Sequence, residues 1–134
     1  MKIRIPLLFK RVIFFTYILA IIVVAVFPFS AADVGAMNRV YVMSFRLDHL
    51  LHLLAFIPLY PLGSWLFQPK PWKGRVYLLL AGLVIASSAE FIQYFIDYRA
   101  YNPVDLISNL AGVLLGAIIH HINPFSAASR RHYF

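Results

Sequence analysis

Apolar residues run almost unbroken along four stretches of the chain, 12–29, 49–67, 76–96 and 104–122, and polar residues collect between them. About 20 mostly apolar residues are what a helix needs to cross the roughly 30 Å hydrocarbon core of a bilayer. The pattern predicts an all-α protein, a four-helix transmembrane bundle forming a single domain over residues 1–134. The first stretch follows basic residues, as a signal peptide would. Its ~18 residues exceed the roughly 7–15 of a signal core, and Ser30-Ala31-Ala32 resembles a cleavage site only weakly, so it reads as a helix.

Local signals set the breaks. Pro69, Pro71 and Gly74 make the connection 68–75 a turn, because proline lacks a helical donor and glycine frees the backbone. Asn102 followed by Pro103 opens the fourth helix, with Asn as the cap, Pro in the first turn and Asp105 near the positive helix end. Pro58 and Pro61 bend the second helix by removing backbone hydrogen bonds.

Composition identifies the solvent. Of the 134 residues 62% are hydrophobic and 13% charged, against roughly 45–50% and 25% in soluble domains. A chain this short cannot hide so much apolar surface from water. Twelve Phe and eight Tyr exclude a disordered chain, and the absence of Cys excludes disulfides and thiolate metal sites.

The net charge of +7 would suit nucleic acid, but placement gives it another meaning. Nine of the 12 basic residues (Lys2, Arg4, Lys10, Arg11, Lys70, Lys73, Arg75, Arg130 and Arg131) flank apolar stretches on one side, whereas Arg39, Arg46 and Arg99 fall on the other. Short cytoplasmic loops collect Lys and Arg, so the N-terminus and C-terminus are predicted to be cytoplasmic and no nucleic-acid partner is expected.

Ionisable residues inside membrane helices cost roughly 2.5–3.5 kcal/mol each on insertion scales, which makes the few present here functional candidates. With that orientation they gather in the outer half of the membrane. Asp48, His49 and His52 begin the second helix, Glu90 and Gln93 lie near the end of the third, and Asp105 and Asn109 share one stripe of the fourth with Gly112 and Gly116. Gly112 and Gly116 form a GxxxG pattern that permits close helix packing. Imidazole with carboxylates suits zinc or manganese. No HExxH-like run accompanies them, so neither a metal nor another cofactor is expected. His120 and His121 read as structural at a helix C-terminus, Ser87 and Ser88 as small packing residues rather than nucleophiles, and Trp72, Tyr94, Tyr98 and Tyr101 as interfacial aromatics.

These residues resemble the VanZ-like family of small integral membrane proteins over 47–117. The family's Asp-Lys-x-x-His motif followed by an aromatic reads here Asp48-His49-Leu50-Leu51-His52 with Phe56. Its Glu-x-x-Gln, Arg and Asp-x-x-x-Asn-x-x-Gly-x-x-x-Gly elements are matched by Glu90, Gln93, Arg99, Asp105, Asn109, Gly112 and Gly116. His49 stands where the family usually has Lys. The family takes its name from a teicoplanin-resistance accessory protein, so the resemblance implies cell-envelope biology in a bacterial inner membrane and supplies no reaction.

Three functions compete. Asp48, His49, His52, Glu90, Gln93, Arg99, Asp105 and Asn109 could bind or protect an anionic lipid-linked precursor or a glycopeptide-type antibiotic target, with Arg99 and the histidines on phosphate. Alternatively Glu90 or His52 acts as acid or base in a membrane enzyme modifying such a lipid. In the third, the chain is a scaffold subunit of membrane machinery, joined through Gly112 and Gly116. Membrane lipids are the expected surroundings, and the oligomeric state stays open.

Overall fold

The computed structural model describes residues 5–27, 39–42, 45–97 and 101–122. Helix α1, Leu7–Val26, starts five residues ahead of the apolar run. Lys10 and Arg11 are good helix formers. Lys10 stretches its ammonium to the Trp65 carbonyl, 3.2 Å away, and lies 5.2 Å from the centre of that residue's ring, so its stem follows apolar surface while its charge is satisfied.

A short antiparallel pair, β1 Tyr41–Val42 and β2 Phe45–Arg46, leads into the second span. The helical periodicity of the sequence carried no signal for it. The second span, Leu47–Phe67, divides into α2, Leu47–Phe56, and α3, Leu59–Phe67. The break falls at Ile57–Pro58, where Pro58 and then Pro61 cannot donate to the preceding turn. Gln68 ends α3 in a left-handed conformation, φ 48°, and its N–H reaches the Ser64 carbonyl.

Helix α4, Trp72–Gln93, begins four residues before the predicted stretch because Trp72 to Arg75 already wind behind Pro71. It also ends three residues early. Tyr94, Phe95 and Ile96 donate to carbonyls three residues back, not four, and this tightening is invisible to an apolar pattern. Helix α5, Pro103–Ile122, is capped by the Asn102 side chain, whose oxygen accepts from the Val104 N–H at 3.0 Å.

Helix α5 is the hub, packed on α2, α3 and α4, while α1 leans on α3 and α4. Phe14, Phe56, Leu59, Ala86 and Val113 form the centre of the core. Exposure grades outward: 33% of the most apolar window of α5 is buried but only 11% of that of α1, so α1 is the peripheral helix and offers Phe15, Leu19 and Val23 outward. Among the described residues, four spans long and apolar enough to cross a bilayer, with large apolar side chains outside, make this a multi-pass membrane protein.

The approach of α5 to α2 is backbone on backbone. A Cβ at Gly112 would run into the Leu53 carbonyl, and one at Gly116 into the Ile57 carbonyl. The latter is the carbonyl that Pro61 cannot serve in the helix. Gly116 therefore seats the break of the second span against α5.

Candidate functional site

Close packing of α2 on α5 aligns their polar faces. His49 Nδ1 lies 2.6 Å from Asp105 Oδ1. One turn on, His52 Nδ1 lies 3.0 Å from Asn109 Oδ1. An amide oxygen only accepts, so Nδ1 of His52 donates and its Nε2 is turned toward Asp48 Oδ1 at 3.7 Å and Asp105 Oδ2 at 3.9 Å. Asp105 does not act as a simple helix-end charge. It is 6% exposed and spends one carboxylate oxygen on His49.

Helix α4 adds Glu90 and Gln93. The early end of α4 puts Glu90 within its last turn, yet it is 0% exposed. Asn102 lies over it and donates its backbone N–H to Oε1 at 3.0 Å. Oε2 is buried and accepts no hydrogen bond among the described residues. A buried polar atom in that condition costs about 1–3 kcal/mol, more when charged, and calls for an explanation.

Glu90 also borders a cavity. A cavity of about 420 Å³ is walled by Tyr17, Ala20, Ile21, Val24 and Ala25 of α1 and by Leu51, Ala55 and Phe56 of α2. Asp48, His52, Ala89, Glu90, Gln93 and Asn109 complete it. It exists because α1 rests on α3 and α4 and leaves a gap beside α2, bridged by the Tyr17 hydroxyl, which donates to the Ala55 carbonyl at 2.6 Å. This volume is ligand-sized, far above the roughly 30 Å³ share of one water. None of the described residues that line it is Lys or Arg.

Seven of the residues singled out in the sequence (Asp48, His49, His52, Glu90, Gln93, Asp105 and Asn109) thus meet at one end of the bundle. Arg99 lies outside the described residues. Arg46, counted before only as a loop charge, reaches Asp48 at 3.5 Å. Its position two residues ahead of Asp48 was the available signal, as was the hydroxyl of Tyr17 in the middle of an apolar span. Ser87 and Ser88 hydrogen-bond back to the Leu83 and Val84 carbonyls of their own helix. At the opposite end His120 pairs with Ser64 and His121 with Tyr60, each at 3.0 Å.

Comparison with known proteins gives a consistent frame. A family model described as VanZ/LLP1 matches residues 13–123. An uncharacterized protein of Schizosaccharomyces pombe is 26% identical over 74 residues, 54% of this chain, and the match spans 46% of that protein's own length. No solved structure matches.

Proposed function

The chain belongs to the VanZ/LLP1 family, and on that premise we propose that it binds a membrane amphiphile of the cell envelope, taken laterally between α1 and α2. In this reading the chain is a single VanZ-like domain in a bacterial inner membrane with its polar group in the outer leaflet. An isoprenoid or acyl chain fills the apolar wall, and the head group presents hydrogen-bond donors to Glu90. The observation that carries this is the fully buried Oε2 of Glu90, which has no hydrogen-bond partner among the described residues, in a residue that lines a 420 Å³ cavity.

Energetics decide where selectivity resides. Moving a lipid chain from the bilayer into an apolar cavity gains little, because both surroundings are hydrocarbon. Discrimination therefore rests on the polar end, where Glu90, His52, Gln93 and Asn109 can engage a hydroxyl, amine or amide. Two carboxylates with no Lys or Arg among the described lining residues favour the sugar or peptide portion of a lipid-linked precursor, or of an antibiotic target, over its phosphate.

Mass spectrometry of the purified protein under non-denaturing conditions, with a polyprenyl-diphosphate-linked saccharide as probe, tests the reading. Wild type should carry one lipid. Glu90→Gln keeps an acceptor for Asn102 but loses the bare carboxylate oxygen, and should bind at least about tenfold more weakly, the worth of a hydrogen bond to a charged group. Ala20→Phe, which fills the cavity from peripheral α1, should do the same without unfolding. Equal occupancy in all three contradicts it.

A second reading, an enzyme acting on the same lipid, is favoured by His52, which Asn109 orients and which lines the cavity with Glu90. Product formation lost in both Glu90→Gln and His52→Ala would select it. The scaffold reading has less support, since the Gly112 and Gly116 stripe is spent on α2 of the same chain.

A further inference from the structure

Three lone pairs converge behind the cavity. With Nδ1 of His52 donating to Asn109, Nε2 of the neutral ring is an acceptor, and it faces Asp48 Oδ1 at 3.7 Å and Asp105 Oδ2 at 3.9 Å. Both distances exceed the roughly 2.7–3.2 Å of a hydrogen bond, so Nε2 bonds to neither carboxylate. Acceptors aimed at one another repel unless a proton or a metal ion lies among them, and Arg46 sits on the other oxygen of Asp48, at 3.5 Å. Asp48, His49 and Asp105 also place a ligand atom each within 4.8 Å of one another.

We propose that Asp48, His52 and Asp105 bind a divalent transition-metal ion of the zinc class, with a remaining position toward the cavity lined by Glu90. Tetrahedral bonds of about 2.0–2.1 Å set ligand atoms roughly 3.4 Å apart, so the two separations from His52, 3.7 and 3.9 Å, need to close by a few tenths of an ångström, and the two carboxylates, which come within 4.8 Å of each other, must draw together as well. Imidazole selects this class over calcium or magnesium, which prefer oxygen-only shells. The surrounding contacts are those that metal ligands need. Asn109 holds the second nitrogen of His52, and His49 fixes Asp105 through Oδ1, which leaves Oδ2 for the ion. His49 itself is too close to Oδ1, at 2.6 Å, to share the ion's shell with that atom, and serves as a positioning residue. Three protein ligands with a further position open is the pattern of a site where the ion meets a second molecule rather than a closed structural site. The ion would also reverse the local sign and admit an anionic head group that the carboxylates alone repel.

The test uses full-length protein purified in detergent without a histidine tag and loaded with Co²⁺ or Zn²⁺. Elemental analysis and the visible absorption of tetrahedral Co²⁺ should report one ion per chain. Asp105→Asn and His52→Gln should abolish the spectrum, and His49→Phe should weaken affinity by about 10–100-fold, as for a supporting residue. His121→Asn, at the opposite end beside Tyr60, should bind as wild type does. Helicity by circular dichroism confirms that each variant is folded. Folded wild type that takes up no metal, or uptake unchanged in Asp105→Asn and His52→Gln, overturns the proposal. Metal content is read without lipid, so this result stands apart from the outcome for the amphiphile.

Discussion

Glu90 and Asp105 are buried carboxylates with opposite circumstances. Asp105 is engaged by His49 at 2.6 Å, whereas Glu90 holds Asn102 with one oxygen and its other, buried oxygen accepts no hydrogen bond among the described residues. Removing the partner of Asp105 should therefore cost stability. His49→Ala is expected to lower unfolding free energy by about 1.5–3 kcal/mol, the range of hydrogen bonds to charged groups, and His49→Lys, which restores a donor, by less than about 1 kcal/mol. Thermal unfolding in detergent reads both. The residues of this cluster were legible in the sequence because charge in an apolar span is costly and therefore conspicuous. Their pairing was not: spacing put Asp48 and His52 on one face, but only the packing of α2 on α5 shows that His49 meets Asp105 and His52 meets Asn109.

At the scale of the elements, the four spans were readable from apolar run length, and their ends were not. Lys10 and Arg11 lie inside α1, and the last residues of the third apolar run wind in a tighter turn beyond α4. The prolines marked a bend but could not show what it is for. The break at Ile57–Pro58 presents a carbonyl that only a glycine can approach, and Gly116 meets it. Gly116→Ala should destabilise the fold by about 1–3 kcal/mol, the cost of overpacking, and Gly116→Leu should prevent a monodisperse folded species altogether. Gly82 provides a milder comparison. There a Cβ meets side chains and no backbone, a methyl of Val113 at 3.1 Å with Leu59 at 3.7 Å, so Gly82→Ala should cost less in the same unfolding assay.

The whole molecule has two unlike ends. One gathers the acids, Asn109 and the two histidines of α2, and the other carries Lys10 on Trp65 and the pairs of His120 and His121. The excess of basic residues at the second end predicts that it faces the cytoplasm. Reporter fusions at either terminus or in the 68–75 connection should be cytoplasmic, and a fusion there that is active only outside would contradict the orientation. Between the ends, the cavity follows from the peripheral position of α1, a tertiary fact that no apolar pattern carries, since a lipid-facing helix and a cavity wall read alike in sequence. A density map of the purified protein in a lipid nanodisc tests the central claim most directly. It should show elongated density between α1 and α2 ending within hydrogen-bond reach of Glu90 Oε2; a closed interface there, with that oxygen paired to the protein's own side chains, would contradict it.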